Sequence, residues 1–267
     1  QDYSSIELLI IDDGSSDDSV KIIKSMISEC EERFVRFSFF SQKNRGLVAN
    51  INYALSWADG DFFAVLASDD VLFSGKTSVL LPYLKNQKLA GVTGGYIEID
   101  HDSNELRSIV PSVGIWTFED VLIRRARLFA PTATFRTSAL RAVGGYWTDI
   151  PLDDRQMWLK LTNFGYLVQT TDHMVARYRR HAHNFSKSSI IMIEARMAIY
   201  DRFKPHFNLP RVRAKDLYGA ARELAPNDIE LALKYFKDAF KSDFTSVLTK
   251  SCFRAIKAIA KKYVRLT

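Results

Sequence analysis

Two pairs of adjacent carboxylates sit where apolar runs stop. Asp12-Asp13, followed by Gly14-Ser15, ends the run Ile6–Ile11, and Asp69-Asp70 ends the run Phe62–Leu66. Neighbouring like charges repel, and a bound divalent cation removes that penalty. If both runs are strands, their C-terminal ends lie where open α/β sheets collect ligands. The two pairs therefore predict a site for a hard cation and a polar ligand. Each also has a structural reading, because Asp accepts backbone N–H bonds in turns and Gly supplies unusual dihedrals there. A third pair, Asp153-Asp154, opens a periodic segment with Met157, Trp158 and Leu161 on one face. Acids in a first helical turn are favoured by the helix dipole, and one of them within reach of a hydroxyl can act as a general base. The fourth candidate is the basic turn Arg177–Ser186, with Arg179, Arg180, His181 and His183. It suits a phosphate or a metal, and it also suits plain exposure to solvent.

The elements that must position these residues alternate in the first part of the chain. Ile6–Ile11, Arg36–Phe40 and Phe62–Leu66 read as strands, and Val20–Ile27 and Val48–Trp57 as helices, with Ser16 or Asp17 as a cap of the first helix. This βαβαβ order predicts an α/β fold with a mostly parallel sheet flanked by helices. Gly91–Ile99 and Leu106–Val110 read as a hairpin around the turn-like His101-Asp102-Ser103-Asn104, and Asp153–Leu161 reads as a helix. From about Ser188 the strand signal vanishes, and Ile190–Phe203, Lys215–Leu224, Ile229–Phe240 and Thr245–Tyr263 read as helices punctuated by Pro205, Pro210 and Pro226. Two of them resemble a single tetratricopeptide-type hairpin, too little for a repeat array. The expected organisation is residues 1–187 as the α/β domain and 188–267 as a C-terminal helical region.

Composition sets the outer bounds. With 267 residues, 47% hydrophobic, the chain can build a sizeable core. The net charge of +6 belongs to the C-terminal part, where residues 211–267 hold 13 Lys and Arg against 6 Asp and Glu. The main domain is thus close to neutral, which argues against a nucleic-acid-binding face. Two cysteines, Cys30 and Cys252, are too few for a disulfide framework and predict a reducing, cytoplasmic setting. The polar opening Gln1–Ser5 does not read as a signal peptide. In the last predicted helix Lys250, Arg254, Lys257, Lys261 and Arg265 line one face, and Leu248, Cys252, Ile256, Ile259 and Tyr263 the opposite one. Such a helix either lies on an anionic membrane surface or docks its apolar face on the protein.

Taken in order, the motifs resemble those of family 2 glycosyltransferases. They are Asp12-Asp13-Gly14-Ser15, Asn44-Arg45-Gly46 before a helix, Ser68-Asp69-Asp70, Gly144-Gly145-Tyr146-Trp147, Asp153-Asp154 with Met157-Trp158-Leu159-Lys160-Leu161, and Tyr178-Arg179-Arg180-His181 with Asn184 and Ser186. The resemblance covers roughly Ile6–Ser186. It implies the GT-A (Rossmann-like) fold and an inverting transfer from a nucleotide-diphosphate sugar, with UDP as the default carrier. It implies Asp13 on the nucleotide base with Asp12 and Arg45 beside it, Asp69 on the ribose, and Asp70 with His181 at a Mg²⁺ or Mn²⁺ on the diphosphate. It further implies Arg179 and Arg180 near that diphosphate, Asp154 as the catalytic base, and Trp147 and Asp153 on the acceptor side. The acceptor is expected to be a glycan or lipid-linked glycan. Three departures stand out. Ala67-Ser68-Asp69-Asp70 replaces the fuller Asp-x-Asp-Asp, and Asp153 replaces the usual Glu. Only five residues precede Ile6, where the family has a further strand and helix, so the chain is expected to be a fragment.

Two other readings compete. A sugar nucleotidyltransferase also holds Mg²⁺ on acids beside a nucleotide, but no Gly-rich phosphate loop with a Lys is present. A non-catalytic GT-A-like binding or scaffold domain draws its support from the short start of the chain.

Overall fold

The computed structural model describes residues 1–181, 189–203 and 205–264. The chain divides into two compact units, Gln1–His181 and Ala182–Thr267. The first is α/β and the second is helical in its described residues.

In the first unit, β1 (Glu7–Asp12) and β2 (Arg36–Ser41) pair in parallel, with Glu7 opposite Arg36 and Asp12 opposite Ser41. A parallel pair needs a crossover, supplied by α1 (Ser19–Ser25) and α2 (Ile27–Arg33). These replace the single helix expected there. The bottom of the pair is tied by Arg36, which meets Glu7 at 3.5 Å and Asp59 at 2.6 Å and lies 4.0 Å over the Trp57 ring. Trp57 closes α3 (Leu47–Trp57), whose Val48, Ile51 and Leu55 are buried at helical spacing.

A second, seven-stranded sheet carries the core. Its order is β3 (Phe62–Phe63), β8 (Thr134–Arg136), β5 (Leu89–Ile99), β9 (Leu167–Arg179) and β4 (Val71–Leu72). β6 (Glu105–Ile109) pairs with β5, and β7 (Gly114–Trp116) with β9. The α/β class and the expected hairpin hold, but the pairing is more mixed than the alternation predicts. Among the described residues β1–β2 and β5–β9 are the parallel pairings, and the others are antiparallel. The alternation was confined to the first third of the chain, whereas most of this sheet comes from residues beyond it. The expected strand Phe62–Leu66 shrinks to Phe62–Phe63, because only these two residues find a partner, on β8.

Short helices fill the connections: α4 (Lys76–Leu80), α5 (Phe118–Leu122), α6 (Thr137–Ala142) and the longer α7 (Asp153–Asn163). Leu80, Leu84, Leu89, Val92 and Val175 form one buried cluster against β5 and β9. On α7, Met157, Trp158, Leu159 and Leu161 are buried, and Trp158 lies 4.5 Å from the Phe135 ring. Its indole also covers Gly91, where a Cβ would come within 2.7 Å of the ring. Glycine on this central strand lets the helix carrying the third acid pair sit close to the sheet.

The second unit consists of α8 (Ser189–Asp201), α9 (Leu209–Leu224), α10 (Ile229–Ser242) and α11 (Lys250–Val264). Its core includes Ala214, Leu217, Tyr218, Ala221, Tyr235, Ala239, Cys252 and Ala255. α9 begins earlier than expected, because Pro210 occupies its first turn, where a missing N–H costs nothing. The single helix expected over Thr245–Tyr263 is instead a 3-10 turn, Phe244–Leu248, followed by α11. Thr249 marks the break: its hydroxyl accepts from the Cys252 N–H at 3.3 Å. Of the expected apolar face of α11, Cys252 and Ile259 are buried against other helices of this unit, whereas Ile256 and, in the preceding turn, Leu248 are exposed; the Tyr263 side chain lies outside the described residues.

Candidate active site

The first acid pair sits at the end of β1, and its members do different things. Asp12 is buried; it accepts from the Ser41 hydroxyl at 2.5 Å and from the Ser15 N–H at 3.2 Å. Hydrogen bonds from Ser15 and Ser41 hold its carboxyl below the usual range, so Asp12 pins the ends of β1 and β2 as a carboxylate. Asp13 looks the other way. Burial pushes its carboxyl up, but donors from Arg45, Asn50, Gln42 and Gly46 outweigh that and hold it low. The N–H groups of Arg45 and Gly46 reach it at 2.9 Å each, and the Gln42 amide at 3.1 Å. Asp13 thus fixes the turn that launches α3, with the Arg45 side chain exposed beside it.

The second pair is assembled across the molecule. Asp69 and Asp70 follow β3, whereas Arg179 and His181 come from the end of β9. The Arg179 N–H donates to Asp70 Oδ1 at 2.9 Å, and His181 Nε2 lies 2.9 Å from Asp69 Oδ2, 112 residues away in the chain. Asp70 is buried, and that burial pushes its carboxyl up to about 6; the charge of Asp69 adds to the rise, and the Arg179 N–H opposes it. Its Oδ2 has no hydrogen-bond partner among the described residues. The Arg179 guanidinium is engaged with protein: Nε donates to the Asp69 carbonyl at 2.9 Å, and an NH group to the carbonyls of Asp100 and His101, each at 2.9 Å. Arg180 instead lies 5.9 Å over the Tyr178 ring on the opposite side of the strand. His183, Asn184 and Ser186 lie outside the described residues.

The third pair opens α7. Burial, and then the charge of Asp154, push the Asp153 carboxyl up to about 7. The side chain of Asp154 accepts from the Arg155 N–H at 2.5 Å. Residues not singled out from the sequence hold this corner. The Arg155 guanidinium donates to the Val121 and Leu122 carbonyls at 2.8 and 2.9 Å, fastening the start of α7 to the end of α5. Gln156 is fully buried and clamps the preceding loop, accepting from the Trp147 N–H at 2.6 Å and donating to the Ile150 and Leu152 carbonyls at 3.2 and 3.1 Å. Lys160 donates to the Gly145 carbonyl and lies 4.7 Å over the Trp147 ring. A polar residue on the buried face of a periodic helix was the signal available for Gln156.

One residue links the first corner to the third. Asn52, on α3, exchanges two hydrogen bonds of 2.8 Å each with the backbone of Tyr146. Gly145 has φ +64°, and a Cβ there would stand 2.7 Å from Asn52 Oδ1. The turn needs glycine on both counts. The helix launched from Asp13 therefore also holds the loop leading to Trp147 and the Asp153-Asp154 pair.

The hardware is a set of hydrogen-bonded acids on strand ends and a helix start, with basic groups beside one pair. Its pattern matches a family. The model for Glycosyl transferase family 2 matches residues 1–143, more than half of the chain, and the chain belongs to this family. An uncharacterized glycosyltransferase of Haemophilus influenzae is 34% identical over 112 residues, which are 42% of this chain and 44% of that protein. The chain thus spans less than half the length of that relative. WfaP of Escherichia coli, a UDP-Glc:alpha-D-GlcNAc-diphosphoundecaprenol beta-1,3-glucosyltransferase, is 24% identical over 187 residues, 70% of each chain. Among solved structures, Staphylococcus aureus TarS in complex with UDP-GlcNAc matches with a TM-score of 0.64 at 14% identity, covering 96% of this chain and 80% of that one. The GT-A fold is thereby established.

Proposed function

We propose that this chain transfers a sugar, with inversion, from a nucleotide-diphosphate sugar to a hydroxyl of a lipid-linked glycan. UDP is the carrier proposed, as in the name of WfaP and in the TarS complex. The observation that carries the reading is the corner where β9 returns to the Asp69-Asp70 loop. It places a buried carboxylate, a second acid and an imidazole within hydrogen-bond contact of one another or of a common strand end.

The donor set suits Mg²⁺ or Mn²⁺. Among the described residues no group of three His, Cys, Asp or Glu could hold a metal ion. A small hard cation, however, is normally held by one or two carboxylates together with substrate phosphates. Asp70, buried with one oxygen unbonded, would supply the protein ligand, with His181 toward the diphosphate and Asp69 on the ribose; Arg180, expected at the diphosphate, lies across the strand from this corner and takes no part in it. When bound, the cation would stabilise the charge that builds on the departing diphosphate. Arg179 sets the shape of this corner through its backbone partners. Asp13 and Arg45 form the base end of the donor site, which Asp12 supports from behind.

At the acceptor end, Asp154 takes the proton of the attacking hydroxyl, and Trp147 with Asp153 lines the approach. The attack passes through a state with oxocarbenium character. A single displacement leaves the anomeric centre inverted. The acceptor's lipid carrier places the protein at the inner, cytoplasmic face of a membrane as a peripheral enzyme of polysaccharide synthesis.

Asp154→Asn tests the assignment. The variant is expected to bind UDP-sugar with Mn²⁺ as the parent does, while transfer falls by about a thousandfold or more, in the range of removing a general base. Transfer within a few-fold of the parent overturns the role of Asp154. Failure of the unsubstituted chain to bind any nucleoside diphosphate overturns the donor site.

A further inference from the structure

The elbow between α10 and α11 exposes a concentration of large apolar side chains. Phe240 is 49% exposed, Phe244 72%, Leu248 82%, Phe253 60% and Ile256 46%. Isolated exposed hydrophobics are normal, whereas five within 17 consecutive residues, on the last turn of α10, the connecting turn and α11, concentrate apolar surface on one elbow of the chain. Exposed cations accompany them: Lys237 and Lys241 on α10, and Lys250, Arg254 and Lys257 on α11. No ion-pair partner is found for these five among the described residues. The acids nearby include Glu230 and Asp238, which share a groove with Lys237 and Lys241, and Asp243, which is occupied in capping the turn and accepts from the Thr245 N–H at 3.0 Å.

The arrangement along α11 identifies the occupant. Cys252, Ala255 and Ile259 form its buried stripe. At about 100° per residue, Ile256 and Phe253 come next around the helix, followed by Lys257, Lys250 and Arg254. Apolar rings and cations are therefore neighbours on the outward side. Side chains graded in this way sink rings into an acyl boundary while ammonium and guanidinium groups stay at the headgroups. A second copy of the chain is a poor occupant, since a two-fold contact would bring five cations against the same five.

We propose that this elbow is the membrane-seating surface of the protein, and that its ligand is a bilayer carrying anionic lipid. This deepens the lipid-linked acceptor reading and rests on it for its biological purpose. The seat is the segment around Phe244 and Leu248, with one flank of α11, rather than the stripe opposite that helix's lysines.

The test is co-sedimentation of the full chain with phosphatidylcholine vesicles, pure or containing about one third phosphatidylglycerol, at low and high salt. The full chain is expected to pellet with the anionic vesicles and to release in high salt. Two variants are compared with it, Phe244→Glu/Leu248→Glu/Phe253→Glu and Lys250→Glu/Arg254→Glu/Lys257→Glu. Each is expected to lose about tenfold or more in partitioning, with helical circular dichroism and UDP-stabilised melting unchanged. Equal pelleting of parent and apolar variant overturns the proposal, as does binding indifferent to the anionic lipid. A concentration-dependent dimer abolished by the apolar variant also overturns it, in favour of self-association. Vesicle binding without nucleotide binding would instead leave the seat standing and remove the transferase reading.

Discussion

Asp70 and Asp153 are carboxyls held high by burial, whereas Asp12 and Asp13 are held low by hydrogen bonds, so acids of similar appearance in the sequence are shifted in opposite directions. The difference has a consequence at Asp153. Its carboxyl lies near 7 in the fold and near 3.8 when unfolded, so the folded state binds more protons between those values. Its contribution to stability is complete below the lower value and is lost as the pH rises through about 7. Asp153→Asn carries no such loss. The melting temperature of that variant relative to the parent is therefore expected to rise between pH 5 and pH 8.5 by a few degrees. Parallel pH profiles for the two proteins would contradict the assignment. None of this was legible from residue type. The doublets announced the pairs, but the depth of each side chain depends on Ser41, on Arg179 and on the packing of α7, all remote in the chain.

Elements tell the same story at larger scale. The strands β1 and β2, the helix α3 and the hairpin β5–β6 were readable because each carries its own period or turn chemistry. β9 was not, although it is the longest strand at 13 residues and delivers both Arg179 and His181. Its Gln-Thr-Thr-Asp-His stretch interrupts the apolar alternation, and its basic end looks like a solvated turn. Its stability comes instead from neighbours on both sides, β5 in parallel and β4 and β7 antiparallel. α3 offers a direct test of how one element serves two corners. Asn52→Ala removes both of its bonds to Tyr146 and leaves buried backbone groups unpaired, at a cost of about 2 kcal/mol. Denaturant unfolding is expected to show that loss. Transfer should fall more than donor binding does, because the loosened loop carries Trp147 and precedes Asp153 while Asp13 stays in place. An equal fall in both would mean that α3 supports only the donor end.

The chain divides into an α/β unit and a unit that is helical in its described residues, and all four tryptophans, at 57, 116, 147 and 158, belong to the first. Tryptophan fluorescence therefore follows the unit bearing the candidate site, while far-ultraviolet circular dichroism follows both. Added UDP-sugar with Mn²⁺ is expected to raise the fluorescence-detected transition, by roughly 2.7 kcal/mol of stabilisation at a hundredfold excess over Kd. A fluorescence transition unmoved by every nucleoside diphosphate tried would count against a donor site in this unit. The guanidinium of Arg179 carries a last implication, for recombining this chain with its relatives. Four of its acceptors among the described residues, the Asp69, Asp100 and His101 carbonyls and the Ser103 hydroxyl, precede residue 104. A crossover anywhere between 104 and 178 would therefore join one parent's arginine to another parent's acceptors. Because most of those acceptors are main-chain oxygens, such chimaeras should tolerate divergent sequence at 100–103 yet fail when the turn changes length.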